Sequence, residues 1–477
     1  MDLTTNQPKG ANITSEQQLV VDTTKSTKHS LVKVNAVSGS GKTYTLGQVV
    51  DAINPKKGLY LAYNKSISKE ASEKFPESVY CATTHSLAYQ YTVPVYQLKI
   101  GFFSYRNIKD RADYDIKLSV VDAMRDFCLS KYTSVSDYCN ENSVSRYVAT
   151  LLAKYINLME SGQIDVTHEF YLKYFHILLA TGHIEFDDYD LIMLDECGDL
   201  NPVTLEIFKL LPSSKKIMVG DEHQQIYSFN HTINGFEVLK DEGIQLHLTN
   251  SFRVSDHIAL RVEAFCQAHL DPDMKFRGVH YDDTSIESSA FISRTNSALI
   301  SEMIDLNKAG TPYNLIRPAK QIFQLPLILL SLKPRGFISN AQYKHLQDDV
   351  NDYYADRSIA DSGRSLLSYI LQCHPDDVNL KSAVNLILKH SPAAVLECYK
   401  TASSHENTHH PMTLTTAHSS KGLEFDHVTI ADDFNQQLVP LIDVKPEYRA
   451  PEDQELFRLY YVAVSRSKKS ISNAVHL

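Results

Sequence analysis

Tryptophan is absent from the 477 residues. Ring stacking must therefore come from the 27 tyrosines and 19 phenylalanines. Cysteines are sparse, seven in all, at positions 81, 128, 139, 197, 266, 373 and 398. Their odd number and the lack of any C-x-x-C pair argue against a disulfide framework or a thiolate zinc site, and for reduced thiols in a cytosol. A surplus of positive charge is missing as well. Lys and Arg number 47 against 57 Asp and Glu, a net charge of −10. That disfavours a protein that coats nucleic acid by charge alone, although a local basic groove still attracts phosphates. Long apolar runs are lacking. The greasiest stretch, LPLILLSL from Leu325, is too short to span a bilayer. The opening MDLTTNQPKGANITSEQQ has no apolar core and so is not a signal peptide. The expectation is a soluble, cytoplasmic protein without membrane partners. At 43% apolar and 22% charged residues the composition is globular, and the length suggests about two to four domains.

What is present begins with NAVSGSGKTYTL, Asn35 to Leu46. Upstream, SLVKVNAV is apolar and β-branched and reads as a buried strand. Downstream, KTYTLGQVVDAI reads as a helix that stops before Pro55. A-x-x-x-x-G-K-T between strand and helix is the setting that gives a phosphate-binding loop its meaning, with Ala36 where the general motif has Gly. Gly39 and Gly41 let backbone N–H groups turn toward phosphates. Lys42 is placed to bridge the terminal phosphates and Thr43 to hold Mg²⁺. The competing reading is a surface turn with an exposed lysine.

Such a site needs a carboxylate at the end of a second strand. Leu191 to Leu194 is a continuous apolar run, as in a central parallel strand, and ends in Asp195-Glu196. Asp195 suits the metal, and Glu196 can take a proton from an attacking water. A third strand, Ile217–Val219, breaks at Gly220-Asp221 and leads to Gln224, Tyr227 and Phe229. Gln224 could sense the γ-phosphate. Phe229 could stack on a base, worth ~1–3 kcal/mol, although either aromatic could instead be core.

Further segments complete a pattern: ITSEQQLVV from Ile13, AYNKSISKEA from Ala62, TTHSLAY from Thr83, LTNSFR from Leu248, ISRTN from Ile292, TTAHSSKGLEFDHVTIADDF from Thr415 and LYYVAVSRSKKS from Leu459. With LDECGDLNP and VGDEHQQIYSF, they resemble, in order, the motifs of superfamily 1 DNA helicases of the UvrD/Rep type. The likeness extends to the helicase region of the F-box DNA helicase and its compact bacterial and phage relatives. It runs from residue 13 to residue 470.

The resemblance implies an ATP-dependent motor that moves 3′ to 5′ on single-stranded DNA, with ATP and Mg²⁺ as cofactors. It implies two RecA-like parallel-sheet α/β cores with helical insertions: core 1A at 1–89 and 186–255, insertion 1B at 90–185, core 2A at 256–333 and 411–477, and a small insertion 2B at 334–410. ATP would sit between the two cores. Gln17, Ser38, Gly39, Ser40, Gly41, Lys42, Thr43 and Tyr44 would surround the nucleotide. Phe252 would stack on adenine and Glu424 would meet the ribose. Thr43 and Asp195 would hold the metal, and Arg253 and Arg466 would point at the γ-phosphate beside Gln224. Tyr63, Asn64, Lys65, Thr84, His85, Phe229, His418 and Ser419 would face the DNA. Partners would be single-stranded DNA and single/double-strand junctions, with room for a protein partner on the insertions. The alternative is a translocase, or a nucleotide-gated DNA-binding subunit of a larger complex, that unwinds little alone.

The chain also departs from the family pattern. Asp-Glu-Cys-Gly-Asp stands where relatives often read Asp-Glu-Ala-Gln-Asp, so Gly198 lacks a glutamine amide that could couple the ATP and DNA sites. Asn230 replaces a frequent arginine, and Phe229 takes the place of a stacking tryptophan. HENTH from His405 matches H-E-x-x-H, but its polar and proline flanks read as a loop rather than a zinc-protease helix. DIKLSVVDAMRDFCLSKY, SVSRYVATLLAKYINLMES, RSLLSYILQC and LKSAVNLILKHS all show helical spacing and fit the two insertions.

Overall fold

The computed structural model describes residues 13–227, 232–281, 283, 285–338, 340, 343–355, 365–375, 377–404 and 410–477. Residues 228–231, with Phe229 and Asn230, and residues 405–409, with the H-E-x-x-H match, lie outside them. The chain divides into two units, Met1–Phe252 and Arg253–Leu477.

The first unit is built on six parallel strands: β1 (Leu31–Ala36), β2 (Gly58–Ala62), β3 (Val79–Thr83), β4 (Leu191–Leu194), β5 (Lys216–Gly220) and β6 (Ile244–Leu248). Their spatial order is β3-β2-β4-β5-β1-β6. β2 and β4 are buried at every position, which explains their unbroken apolar composition, since helices cover both faces of such a sheet. The order makes β4, β5 and β1 neighbours, so the turns that follow their carboxyl ends lie side by side. That is where α/β sheets hold ligands.

α1 (Ser15–Ser26) opens with a capping box between Thr14 and Gln17. α2 (Lys42–Ile53) covers the expected residues. It ends at Asn54, whose left-handed backbone and the following Pro55 terminate it. α3 (Lys65–Lys74) and α4 (Thr84–Thr92) follow β2 and β3. Four helices then intervene before β4: α5 (Tyr114–Leu129), α6 (Val135–Glu141), α7 (Arg146–Glu160) and α8 (His168–Ala180). They bury Phe127, Leu152, Phe170 and Phe175 in one cluster that continues to β4 and to α9 (Pro202–Leu210).

Inside that cluster Lys173 is fully buried. Its Nζ donates to the carbonyls of Ser130 (2.6 Å) and Tyr132 (2.8 Å) and lies 3.3 Å from His176 Nδ1. Burial brings the ammonium down to about 7, against opposing pulls from Cys128 and Glu206. Burial, then Lys173 and Lys209, bring His176 to about 3. The unfolded lysine titrates near ~10.4. Between about 7 and 10 the unfolded chain therefore binds the extra proton, and this residue makes stability rise with pH across that window. Thermal unfolding should show a larger gain from pH 7 to pH 9 in the wild type than in Lys173→Met. Equal gains would mean that Lys173 is not the group responsible.

In the second unit five parallel strands run in the order β10-β11-β9-β12-β13. They are β9 (Ser289–Ser293), β10 (Asn314–Leu315), β11 (Met412–Thr416), β12 (Phe425–Ile430) and β13 (Ser467–Ser472). β7 (Asn250–Ser255) and β8 (Arg277–Val279) form a separate two-stranded sheet. The two parallel-sheet α/β cores expected from the sequence are both present. β11 is buried from Thr413 to Thr416, the threonines along with Leu414. The strand lies between β10 and β9, and interior parallel strands are covered on both faces. Helices Gln324–Leu330, His345–Ala355, Leu366–Cys373 and Val378–His390 gather around a core of their own, with Leu346, Val350, Ile370 and Val384 at its centre. All seven cysteines are free thiols. Among the described residues no helix is long and apolar enough to cross a membrane.

Candidate nucleotide and strand-binding site

The loop between β1 and α2 turns through Gly39 and Gly41, both with left-handed φ (75° and 78°). Side chains rarely adopt that geometry, so glycine is required there. The first N–H groups of α2 have no carbonyl in a preceding turn to meet and so remain available to an anion. The loop is fixed from two sides. Gln17 Nε2 donates to the Ser40 carbonyl (3.3 Å), while Gln17 Oε1 accepts from Thr14 N (3.1 Å). Phe252 N donates to the Gly39 carbonyl (2.8 Å), and the Phe252 ring lies 3.6 Å from where a Cβ on Gly41 would stand. Ser38 and Ser40 are buried. Among the described residues the Ser40 hydroxyl has no hydrogen-bond partner. Thr43 and Tyr44 are half-buried in the first turn of α2.

Lys42 reaches the end of β4, where its Nζ pairs with Glu196 Oε1 at 2.9 Å. Burial alone would lower the Lys42 ammonium, but Glu196, Asp195 and Asp221 outweigh it and hold it above its ordinary value. Asp195 accepts from Tyr60 Oη (2.6 Å) and from Glu196 N (2.8 Å). Burial and the adjacent Glu196 raise its carboxyl, against the pull of Lys42 and Tyr60. Glu196 has a φ of +54°, a left-handed backbone on a non-glycine residue. Strain of this kind costs about 1–3 kcal/mol and persists only where the surroundings enforce it. Beyond β5, Gln224 Nε2 donates to Asp221 Oδ2 (2.7 Å), so this amide is already oriented within the cluster. Lys42, Asp195, Glu196 and Gln224 are thus gathered at the ends of adjacent strands.

In the second unit, Arg253 Nε donates to Glu424 Oε2 (2.9 Å), and Lys468 Nζ lies 3.1 Å from Glu424 Oε1. Arg466 is buried at the end of helix Pro451–Val464. It donates to the Val462 carbonyl (2.8 Å), the Ser465 hydroxyl (2.9 Å) and the Leu423 carbonyl (3.5 Å). His418 and Ser419 stand in the short helix Ala417–Ser420 that follows β11, and the Ser419 hydroxyl accepts from Thr416 Oγ1 (3.2 Å).

The remaining strand-facing candidates follow β2 and β3. Tyr63 and Lys65 are exposed. Asn64 has a structural task, since its Oδ1 accepts from Ile67 N (2.9 Å) and caps α3. Thr84 is buried at the start of α4. The His85 ring packs edge-on against Tyr171 at 5.7 Å between centroids. Burial keeps its pKa below the ordinary value despite Glu169.

Comparison with known families agrees with this layout. Residues 17–230 match the AAA domain family, and residues 379–474 match the UvrD-like helicase C-terminal domain. The chain belongs to the UvrD-like superfamily 1 helicases. Over 96% of its length it is 26% identical to F-box DNA helicase 1 of Gallus gallus, covering 48% of that protein. Over 98% of its length it is 25% identical to F-box DNA helicase protein 1 of Schizosaccharomyces pombe, covering 58% of it. The chain therefore spans about half the length of these relatives.

Several residues of this UvrD-like site were not singled out from the sequence. Tyr60 is a lone hydroxyl in the otherwise apolar strand GLYLA, and that contrast was the available signal. Asp221 was noted only as a strand break, although it is buried and orients Gln224. Asn35 pairs reciprocally with Glu222, its Nδ2 donating to the carboxylate and its Oδ1 accepting from Glu222 N (3.3 Å). Nothing in the spacing of Asn35 and Glu222 announces this link, because it depends on β1 and β5 being neighbours.

Proposed function

We propose that this chain is an ATP-dependent DNA helicase or translocase that moves 3′ to 5′ along single-stranded DNA and acts at single/double-strand junctions. The observation that carries the reading is the Lys42–Glu196 ion pair beside Asp195, at the mouth of a glycine-turned loop. A nucleotide with Mg²⁺ fits the residues present. Among the described residues the buried Ser40 hydroxyl lacks a partner, the opening of α2 favours an anion, and Thr43 with Asp195 forms an all-oxygen donor set suited to a hard cation. When bound, Mg²⁺ neutralises charge on the phosphates.

Around that group Lys42 exchanges its partner Glu196 for a phosphate oxygen. Glu196, released, accepts a proton from the attacking water. Gln224, Arg253 and Arg466 meet charge developing at the γ-phosphate. Phe252 and Gln17 serve the adenine end and Glu424 the ribose. Tyr63, Lys65, His85, His418 and Ser419 face the strand, with Asn64 and Thr84 shaping its path, and Phe229, outside the described residues, is the ring proposed to stack on a base. A second reading, a nucleotide-gated DNA-binding subunit that unwinds little alone, draws support from Gly198 in place of the amide that relatives often carry.

Steady-state ATP hydrolysis with and without a single-stranded oligonucleotide tests the first reading. Strong stimulation is expected. A slow rate unchanged by DNA, in a protein that binds both ligands, would favour the second.

A further inference from the structure

Three glycines surround the turn that carries Glu196. A Cβ on Gly198 would fall on the carbonyl oxygen of Asp221. One on Gly220 would lie 2.8 Å from Cys197 N, and one on Gly235 would lie 2.9 Å from the Cys197 carbonyl oxygen. All three neighbours are backbone atoms that cannot swing aside. The closeness lets Cys197 N donate to the Val219 carbonyl (3.0 Å) and Gly235 N donate to the Cys197 carbonyl (2.9 Å). The turn between β4 and α9 is thereby clamped between the end of β5 and the segment that returns at Thr232. Left-handed Glu196 sits immediately before the clamp.

That returning segment is tied to the same turn. Thr232 Oγ1 donates to Asp199 Oδ1 (2.7 Å), and Leu200 and Ile233 exchange two backbone hydrogen bonds (3.1 and 2.7 Å). Gln225 Nε2 donates to the Thr232 carbonyl (3.2 Å), closing the base of the loop that leaves β5 beyond Gln224. Asp199 is buried, and its bond to the half-buried Thr232 hydroxyl meets part of the hydrogen-bonding need of that carboxylate, so losing it carries a cost. One turn therefore joins Glu196 at one end to Thr232 at the other.

We propose that Thr232, acting through Asp199 and the glycine-permitted contact at Gly198, is a positioning residue that couples strand binding to the geometry of Glu196. In this chain a hydroxyl–carboxylate bond and close backbone packing stand in for the missing glutamine amide. The inference rests on the ATP and DNA reading above.

Coupling is a free energy and is reciprocal, so binding measurements read it without catalysis. The anisotropy of a labelled single-stranded oligonucleotide gives DNA affinity with and without a non-hydrolysable ATP analogue and Mg²⁺. In the wild type the analogue should change that affinity by roughly 5-fold or more. In Thr232→Val the factor should fall to within about twofold of unity, with analogue affinity and analogue-free DNA affinity each within about twofold of wild type. Thr232→Ser, which keeps the hydroxyl, should restore it. If Thr232→Val melts early, Gln225→Leu unties the same loop and should uncouple in the same way. Full coupling in a folded Thr232→Val or Gln225→Leu overturns the proposal. A wild type that binds both ligands without coupling overturns it too, leaving the two binding sites standing. A wild type that binds neither ligand sinks the functional reading beneath it.

Discussion

Replacing Glu196 with glutamine should lower ATP turnover by about 100- to 10,000-fold, the usual range for loss of a positioned general base. Nucleotide binding should persist. Glutamine keeps the shape and can still accept a hydrogen bond from Lys42, which now faces Glu196 at 2.9 Å. It cannot take a proton from water. The change also removes one of the carboxylates that raise Lys42 and Asp195, so the Lys42 ammonium loses an anchor while Asp195 sheds a repulsive neighbour. Binding of a fluorescent ATP analogue, set beside phosphate release, separates the two consequences. Retained binding with lost release assigns the proton transfer to Glu196. Release within about tenfold of wild type would move the base elsewhere. Glu196→Gly is the informative companion. It would relax the left-handed backbone at φ +54° yet still abolish turnover, separating the strain from the chemistry.

Much of this site was legible because its parts are local. A glycine-lysine-threonine loop between a β-branched strand and a helix can be read within a dozen residues, and α2 and β4 occupy the residues expected of them. Apolar runs ending in acids marked β4 and β5 for the same reason. The unread features are those made by strand order. Tyr60 reaches Asp195 because β2 neighbours β4, and Asn35 reaches Glu222 because β1 neighbours β5. No periodicity in one segment encodes which strand lies beside it. Gly198 is a sharper case. From the sequence it marked a missing amide. In the structure its lack of a Cβ is what brings the turn onto the Asp221 backbone.

Arg253→Ala should lower turnover by about 1,000-fold or more, the lower end of what an arginine at a transferring phosphoryl group contributes. The KM for ATP should change far less if the guanidinium acts, as proposed, on charge that develops in the transition state. Arg253 is not idle before nucleotide arrives. Its Nε is held by Glu424 at 2.9 Å, and its own carbonyl accepts from Tyr281 Oη at 2.6 Å, so side chain and backbone are both fixed. Substitution therefore has a second readout. Burial alone would raise the Glu424 carboxyl, but Arg253 and Lys468 outweigh it and hold it below the ordinary range. A depressed carboxylate contributes stability above its unfolded value near ~4.3, and that contribution is lost as pH falls toward the folded value. Arg253→Ala leaves Lys468 as the remaining partner identified for Glu424, so acid unfolding should begin at higher pH than in the wild type. Glu424→Gln provides the contrast. It removes the same acid-sensitive stability but leaves the guanidinium in place, so its turnover should stay well above that of Arg253→Ala. If both variants lose turnover equally, the ion pair itself is what the reaction needs. If Arg253→Ala loses less than about tenfold, the transition-state charge falls to Arg466, whose buried guanidinium is already braced against Val462 and Ser465.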